Sequence, residues 1–189
     1  AVENGFKPSL VRPHKMQLTT DQADIGARLA CENAWTLVES AALLGKQGKL
    51  GVAAALCVLS CEESSKAIAL IHRASGHNDP EFLREVFRNH AIKHEIGYES
   101  IIPVRDALVK LGVSVEFDPE HKIGGKIQEW LESWRIRADK IKQEGFYVDF
   151  QQGKWLTPSA AEKNEYTTSM LVAAMAVIGA KSLLPKLAS

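Results

Sequence analysis

Basic and histidine side chains are concentrated in the segment from residue 84 to residue 94. This segment contains Arg84, Arg88 and Lys93, and it places His90 and His94 four residues apart. Arginine binds phosphate through a planar guanidinium fork, and histidine can accept or donate a proton near neutral pH. Such a group could cleave a phosphodiester without a metal ion, because a histidine would deprotonate an attacking 2′-hydroxyl while the cations stabilise the phosphate charge.

The spacing of the two histidines is also that of a zinc-ligand pair on one helix face. Ala91 follows His90, so the glutamate of an HExxH motif is missing. The chain contains neither GxxxxGK[ST] nor GxGxxG, the patterns of phosphate-binding and dinucleotide-binding loops. We therefore expect neither a metal ion nor a cofactor.

A cluster of two acids and one base precedes the basic segment. Glu62, Glu63 and Lys66 lie within one and a half turns of the second predicted helix. Apolar positions in that helix step by three or four residues from Val52 to Leu59 and on to Glu63, which predicts that Glu63 faces the core. A buried carboxylate is costly without a partner, so we expect Glu63 to pair with the third helix. Glu62 and Lys66 have the spacing of an ion pair on the surface of one helix.

The charged residues have two interpretations that the sequence leaves open. In the first, a histidine and the cationic side chains of residues 84–94 act on a phosphate. In the second, the basic segment and the acidic turn form a structural ion-pair network. Spacing alone favours the structural network, since clustered charges mark functional sites only statistically.

The elements that must position these residues are mostly helical. Periodicity and capping signals predict helices over about 20–46, 49–74, 80–98 with a restart at 101–111, 118–144 and 160–184. Aromatic and β-branched residues predict a hairpin over about 146–157. The predicted fold is therefore all-α, an up-down bundle of about five helices with a small β-hairpin before the last helix. Residues 1–18 are predicted to form an N-terminal arm, and residues 19–189 a single domain.

Composition narrows the functional classes. The 189 residues include 23 Lys plus Arg and 23 Asp plus Glu, so the net charge is zero, whereas proteins that hold nucleic acid through a general positive field are strongly basic. The longest apolar runs, 51–61 and 170–180, are about half the length of a membrane-spanning helix, so we expect no membrane contact. Cys31, Cys57 and Cys61 form no CxxC pair, which indicates free, mostly buried thiols in a cytoplasmic protein.

Four pieces of sequence together resemble the AbiV family of abortive infection proteins, within the HEPN superfamily of small helical bundles. The pieces are the long first helix that leads into residues 48–53, the acidic turn 62–66, the segment 87–93, and the segment 145–149 with Trp155 and Pro158. The last three are similar to the family's EE-x-x-K, Arg-x-His-x-x-Lys and Tyr-Val-Asp…Trp…Pro patterns. Their order and spacing carry the resemblance, which covers roughly residues 30–176.

The resemblance implies a bacterial phage-defence role in which phage multiplication is blocked at the level of RNA or translation. HEPN ribonucleases share an Arg-x(4–6)-His motif, which Arg88 and His94 match, and Arg84 and His90 match its bare spacing. Six residues correspond to about 120° around an ideal helix, so a kink or a second subunit is needed to bring Arg88 and His94 to one phosphate. The superfamily often supplies that second subunit by forming homodimers.

Two functions follow as hypotheses. The first is a metal-independent endoribonuclease acting on RNA, and the second is a non-enzymatic homodimer that captures a phage protein or a translation component. A phage protein could also be the activator. A nucleotide-binding sensor is a third reading, which rests on superfamily analogy alone. The predicted catalytic residues are Arg88, His94 and His90, and the predicted supporting or binding residues are Glu62, Glu63, Lys66, Lys93 and Arg84.

Overall fold

The computed structural model of the chain describes residues 17–97, 101, 123–151, 153–158 and 162–184. Within them the chain forms six helices and one two-stranded hairpin, which confirms the predicted all-α bundle with a hairpin before the last helix. The helices are α1 (Thr20–Lys46), α2 (Leu50–Ala74), α3 (Pro80–Arg88), α4 (90–97), α5 (Ile123–Phe146) and α6 (Lys163–Leu183). The strands are β1 (Asp149–Gln151) and β2 (Lys154–Leu156). Nearly all of the predicted arm and of the predicted 101–111 restart lies outside the described residues.

Residues at or just before the first turn explain where each of the first three helices begins. The Thr19 side chain accepts a hydrogen bond from the Gln22 backbone N–H and the Gln22 side chain accepts one from the Thr19 N–H, which is a reciprocal capping box at the start of α1. Gly48, at a φ of 76°, supplies the left-handed turn between α1 and α2. The Asp79 carboxylate accepts from the Phe82 N–H at 2.9 Å and Pro80 occupies the first position of α3, so this helix begins at the predicted residue.

Helix α2 is the centre of the bundle and packs against α1, α5 and α6. It is buried almost all round, and its innermost positions carry small residues such as Ala53, Ala54 and Cys57. The larger Val52 and Leu59 are only half-buried. The predicted core stripe through Val52, Leu59 and Glu63 is therefore wrong for this part of α2, because small side chains on its innermost face let several helices approach α2 closely.

The carboxyl end of α5 approaches α2 without room for side chains. A Cβ atom added at Gly145 would overlap the Gly51 backbone oxygen and would lie 2.6 Å from the Ala55 Cβ. A Cβ added at Gly51 would overlap the backbone of Pro158, just after β2. These glycines therefore determine how α5 and the hairpin dock on α2, and α5 in turn places its upstream residues at the site described below.

The predicted third helix is interrupted at one residue. Asn89 has extended backbone angles, φ −102° and ψ 112°, so α3 ends at Arg88 and α4 begins at His90. The Asn89 backbone N–H donates to the Glu85 carbonyl at 2.7 Å, and its side-chain oxygen accepts from the Ala91 N–H at 3.0 Å. Asparagine thus ends one helix and caps the next, which a continuous helix over 80–98 does not allow for.

The hairpin is shorter than predicted. Phe146 completes the last turn of α5, and the strands pair antiparallel from Asp149 opposite Leu156. Phe150 and Trp155 are cross-strand partners with ring centroids 5.0 Å apart, and Trp155 is 70% exposed. The hairpin therefore carries an aromatic pair on the protein surface.

Helix α6 is long and apolar enough, by length and composition, to cross a membrane, with a mean hydropathy of 1.3. In the bundle it packs against α2 and α1, and Val172, Ala173, Ala176 and Val177 on it are buried. These contacts make α6 a core helix of the bundle.

Candidate functional site

A buried carboxylate, that of Glu62 on α2, lies at the centre of a cluster of basic side chains. Its Oε1 atom lies 2.8 Å from Nζ of Lys142 and 2.9 Å from Nδ1 of His90. Its Oε2 atom accepts a hydrogen bond from Nζ of Lys93 at 3.0 Å. Nε2 of His94 lies 3.4 Å from Oε1. Helices α2, α4 and α5 therefore meet at one acid, which is 3% exposed.

The cluster maintains Glu62 as a carboxylate despite its burial. Burial alone would raise the pKa of Glu62, but the contacts from His94, Lys142 and Lys93 outweigh it and hold that pKa far below the ordinary value. Burial would likewise lower the pKa of Lys142, but Glu62 and Asp139 raise it. The Lys142 ammonium reaches Asp139 at 3.1 Å on the solvent side of the cluster. Lys142 is therefore placed as a charged group beside Glu62.

The prediction that Glu63 is the buried acid is wrong. Glu63 pairs with Lys66 on its own helix, and both side chains are about one-fifth exposed. Glu62 takes no part in an ion pair with Lys66, because Lys66 is engaged by Glu63 and Glu62 points to α4 and α5. A turn of about 100° separates adjacent helical residues, so shifting the core face by one position moves the buried charge from Glu63 to Glu62.

His90 combines access to solvent with a buried anchor. Its side chain is 50% exposed, and its Nδ1 atom contacts the Glu62 carboxylate. Nδ1 lies closer to this carboxylate, at 2.9 Å, than to Nζ of Lys142 at 3.1 Å or Nζ of Lys93 at 3.4 Å. A carboxylate only accepts hydrogen bonds, so we assign the ring proton to Nδ1 and the lone pair to Nε2. An imidazole oriented in this way can accept a proton through Nε2.

His94, by contrast, is 4% exposed and packs edge-on against Trp134 at 6.4 Å between ring centroids. Trp134 is itself fixed, because its indole N–H donates to the Ser169 hydroxyl at 3.0 Å. Nε2 of His94 is close to Glu62 but not aligned with it, so within the described residues this nitrogen has no hydrogen-bond partner. His94 thus forms the inner wall of the site.

Both histidines line an open cleft of about 640 Å³ between the α3–α4 break and α5. Arg88 lies on one side of it, and Arg135 and Asp139 lie on the other. Arg135 is held by Glu132 through two hydrogen bonds. Arg88 is exposed and forms no ion pair with any residue in the described part of the chain. The cleft therefore offers one arginine that can bind an anion from solvent.

The break at Asn89 explains why Arg88 and His94 share this cleft. On an uninterrupted helix they would be about 120° apart. Since α3 and α4 are separate helices, the two side chains are not bound by that angle, and both line the cleft. The expectation that a kink is needed between them is met by a one-residue interruption.

Helix α4 is held on α2 beneath the cleft by close packing. The Ser65 hydroxyl contacts the carbonyl oxygens of Cys61 and Lys93. A Cβ at Gly97 would lie 3.1 Å from the Ser65 oxygen, so Gly97 allows α4 to approach α2. This packing sets the position of Lys93 and His94 against Glu62.

The remaining predicted residues lie elsewhere, and others were missed. Arg84 does not line the cleft. It pairs with Glu81 at 3.0 Å and lies 3.8 Å from Glu85, both on α3. Lys66 lies 5.9 Å from the Phe87 ring centroid, away from Glu62. Lys142 was not predicted, since it is 80 residues from Glu62 in sequence and lies in an ordinary amphipathic helix. Its only sequence signal is a basic residue next to the apolar Ile141.

Within the described residues, no group of three or more His, Cys, Asp and Glu side chains could hold a metal ion. The two lysine ammonium groups lie against both oxygens of Glu62, where a cation would otherwise bind.

The bundle and its charged cleft fit the HEPN class of small helical proteins. The chain matches the AbiV family model, HEPN_AbiV, over residues 22–179, and so it belongs to the AbiV family. This confirms the resemblance found in the sequence. No curated protein and no solved structure matches the chain.

Proposed function

We propose that this AbiV-family protein acts in abortive infection by cleaving RNA in the cleft between the α3–α4 break and α5. The observation that supports this proposal is the convergence of Arg88, His90 and His94 on one open cleft, with His90 anchored by a buried carboxylate. Single-stranded RNA is the expected substrate, because its phosphates and 2′-hydroxyls are accessible to a surface cleft.

The proposed reaction uses no metal ion. Nε2 of His90 takes the proton of a 2′-hydroxyl, and the 2′-oxygen attacks the adjacent phosphorus. The bond from phosphorus to the 5′-oxygen breaks, and that oxygen takes a proton from water in the open cleft. Arg88 binds the phosphate oxygens as their charge develops. The products are a 2′,3′-cyclic phosphate and a 5′-hydroxyl.

Burial assigns different roles to the two histidines. A general base must reach the proton that it abstracts, within about 3 Å or through one water. His90 is half exposed, whereas His94 is almost fully enclosed against Trp134 and Glu62. The proposal therefore assigns proton transfer to His90 and a supporting role to His94, which reverses the order that the motif spacing predicted.

The test is cleavage of cellular and phage RNA by the purified protein, together with phage protection in cells. His90→Asn and Arg88→Ala should each abolish both activities without lowering the midpoint of thermal unfolding. Arg84→Ala is the matched control for Arg88→Ala, because Arg84 lies one turn away on α3, outside the cleft-lining residues. If Arg88→Ala and His90→Asn cleave RNA and protect cells like the wild type, the proposal is wrong.

A second candidate, a non-enzymatic homodimer that captures a phage protein or a translation component, is favoured by the hairpin surface. Tyr147, Val148, Phe150 and Trp155 are all more than half exposed there. Exposed aromatic residues are enriched at protein interfaces. Trp155→Ala should then abolish phage protection, while the wild type shows no RNA cleavage. Full protection by Trp155→Ala would exclude this role of the hairpin.

A further inference from the structure

We propose that Lys142 of α5 is a positioning residue for His90. Its ammonium group holds the Glu62 carboxylate in the orientation that keeps the His90 ring proton on Nδ1. This inference rests on the proposed function, in which His90 accepts a proton, and it adds a residue from a third helix to the site.

The two carboxylate oxygens of Glu62 are shared among three donors. Oε2 is held by Lys93 at 3.0 Å, and Oε1 is held by Lys142 at 2.8 Å and by His90 at 2.9 Å. A carboxylate oxygen accepts about two hydrogen bonds, so Oε1 is saturated by these two donors. This accounts for His94, whose Nε2 lies 3.4 Å from Oε1 without an aligned hydrogen bond. With one ammonium group on each oxygen, the carboxylate is fixed against rotation.

Lys142 lies close to three groups. Its Nζ lies 2.8 Å from Oε1 of Glu62, 3.1 Å from the Asp139 carboxylate and 3.1 Å from Nδ1 of His90, and Nζ of Lys93 lies 3.4 Å from the same Nδ1. Nδ1 is nearest to Oε1, at 2.9 Å, and two acceptor lone pairs do not face each other at that distance, so Nδ1 donates to Oε1 while two of the Lys142 protons are directed to Glu62 and Asp139. Without Lys142, Oε1 is free to turn away from His90, and the ring proton can move to Nε2. Nε2 would then no longer accept a proton from the 2′-hydroxyl.

The charges around Lys142 show that its role is local. Glu62 faces it from α2, His90 and Lys93 face it from α4, and Asp139 lies on its own helix. In a Lys142→Met variant, Lys93 still neutralises Glu62, so the buried acid keeps one ammonium partner. The variant therefore alters the orientation of the carboxylate more than its charge balance.

The experiment uses the full chain with ¹⁵N-labelled histidine and measures the ring nitrogens of His90 by NMR. The wild type should show a protonated Nδ1 and an unprotonated Nε2, and Lys142→Met should shift both signals toward a mixture of the two tautomers. Lys142→Arg should restore the wild-type signals. Lys140→Met, an exposed α5 lysine paired with Glu144 at 3.5 Å, is the matched control and should leave them unchanged.

The kinetic consequence is a fall in kcat for RNA cleavage of about 10-fold to 100-fold in Lys142→Met, a part of the about 10²–10⁴-fold that a general base contributes, with KM changed by less than about 2-fold. Wild-type His90 with its proton on Nε2, or unchanged ring signals in Lys142→Met, would overturn the inference. The tautomer of His90 in the wild type tests the inference even if Lys142→Met does not fold. If the tautomer shift occurs but the wild type cleaves no RNA, the proposed function fails and the positioning role stands.

Discussion

Two single substitutions, Glu62→Gln and Glu63→Gln, test which of these adjacent acids is part of the folded core. Both substitutions keep the shape of the side chain and remove one negative charge. They differ in surroundings, because Glu62 is enclosed by Lys93, Lys142 and two histidines, whereas Glu63 has a partly exposed partner on its own helix. The pair is therefore a matched comparison within one turn of α2.

The expected magnitudes follow from these contacts. Removing one partner of a buried ion pair costs about 3–5 kcal/mol, because the other charge stays buried without compensation. Lys142 keeps Asp139 at 3.1 Å, so Glu62→Gln should lie at the lower end, about 3 kcal/mol. Glu63→Gln should cost about 1 kcal/mol or less, because this pair lies on one helix and is partly open to solvent. The difference of about 2 kcal/mol corresponds to about 4–8 °C in Tm for a domain of this size.

The assay is urea unfolding of both variants and the wild type, followed by far-UV circular dichroism and tryptophan fluorescence. Glu62→Gln combined with Lys93→Met should recover part of the lost free energy, because the uncompensated ammonium is removed with the acid. Free energies of unfolding for Glu62→Gln and Glu63→Gln that agree within about 0.5 kcal/mol would refute the assignment of Glu62 as the buried acid.

Three further outcomes are expected. The pKa of Glu62 lies below its ordinary 4.5, so the stabilising contribution of its carboxylate is complete above that pH and is lost as the pH falls toward the folded-state pKa. Urea unfolding at a series of pH values should show that the free energy of unfolding falls below about pH 5. This fall should be smaller in Glu62→Gln, which has no carboxyl group to protonate at this position. Gly145→Ala should lower the free energy of unfolding by about 1–3 kcal/mol, measured by urea unfolding, since its Cβ would overlap the Gly51 backbone. The three cysteines, Cys31, Cys57 and Cys61, are free and buried, as predicted, and burial raises the pKa of Cys57 to about 12. Ellman's reagent should therefore label the three thiols only after unfolding. Rapid labelling of the native protein would contradict this expectation.

The sequence predicted the elements whose signals are local. The start of α1 at Thr20, the start of α3 at Pro80 and the aromatic residues of the hairpin each depend on a few neighbouring residues. The family resemblance likewise depended on the order of short motifs. Such signals survive in the folded chain because nearby residues satisfy the backbone at helix ends and turns.

The predictions from the sequence were wrong where packing between distant segments determines which side chains are buried and which residues form the site. Glu63 was predicted to be buried because large apolar residues were taken to face the core, whereas α2 buries its small residues and turns Glu62 inward. The interruption at Asn89 depends on one polar side chain that ends α3 and caps α4. Lys142 could not be picked out from its weak sequence signal, because its role exists only once α5 lies beside α2.

The partners of Glu62 are separated from it by very different lengths of chain. His90 and Lys93 lie 28 and 31 residues away, whereas Lys142 lies 80 residues away. Closing the longer loop costs more conformational entropy, and contacts distant in sequence slow folding. A growing chain can therefore pair α2 with α4 before α5 exists, and it acquires the complete Glu62 cluster only after residue 142 has been synthesised. The order of synthesis separates the pairing of α2 with α4 from the completion of the site by α5.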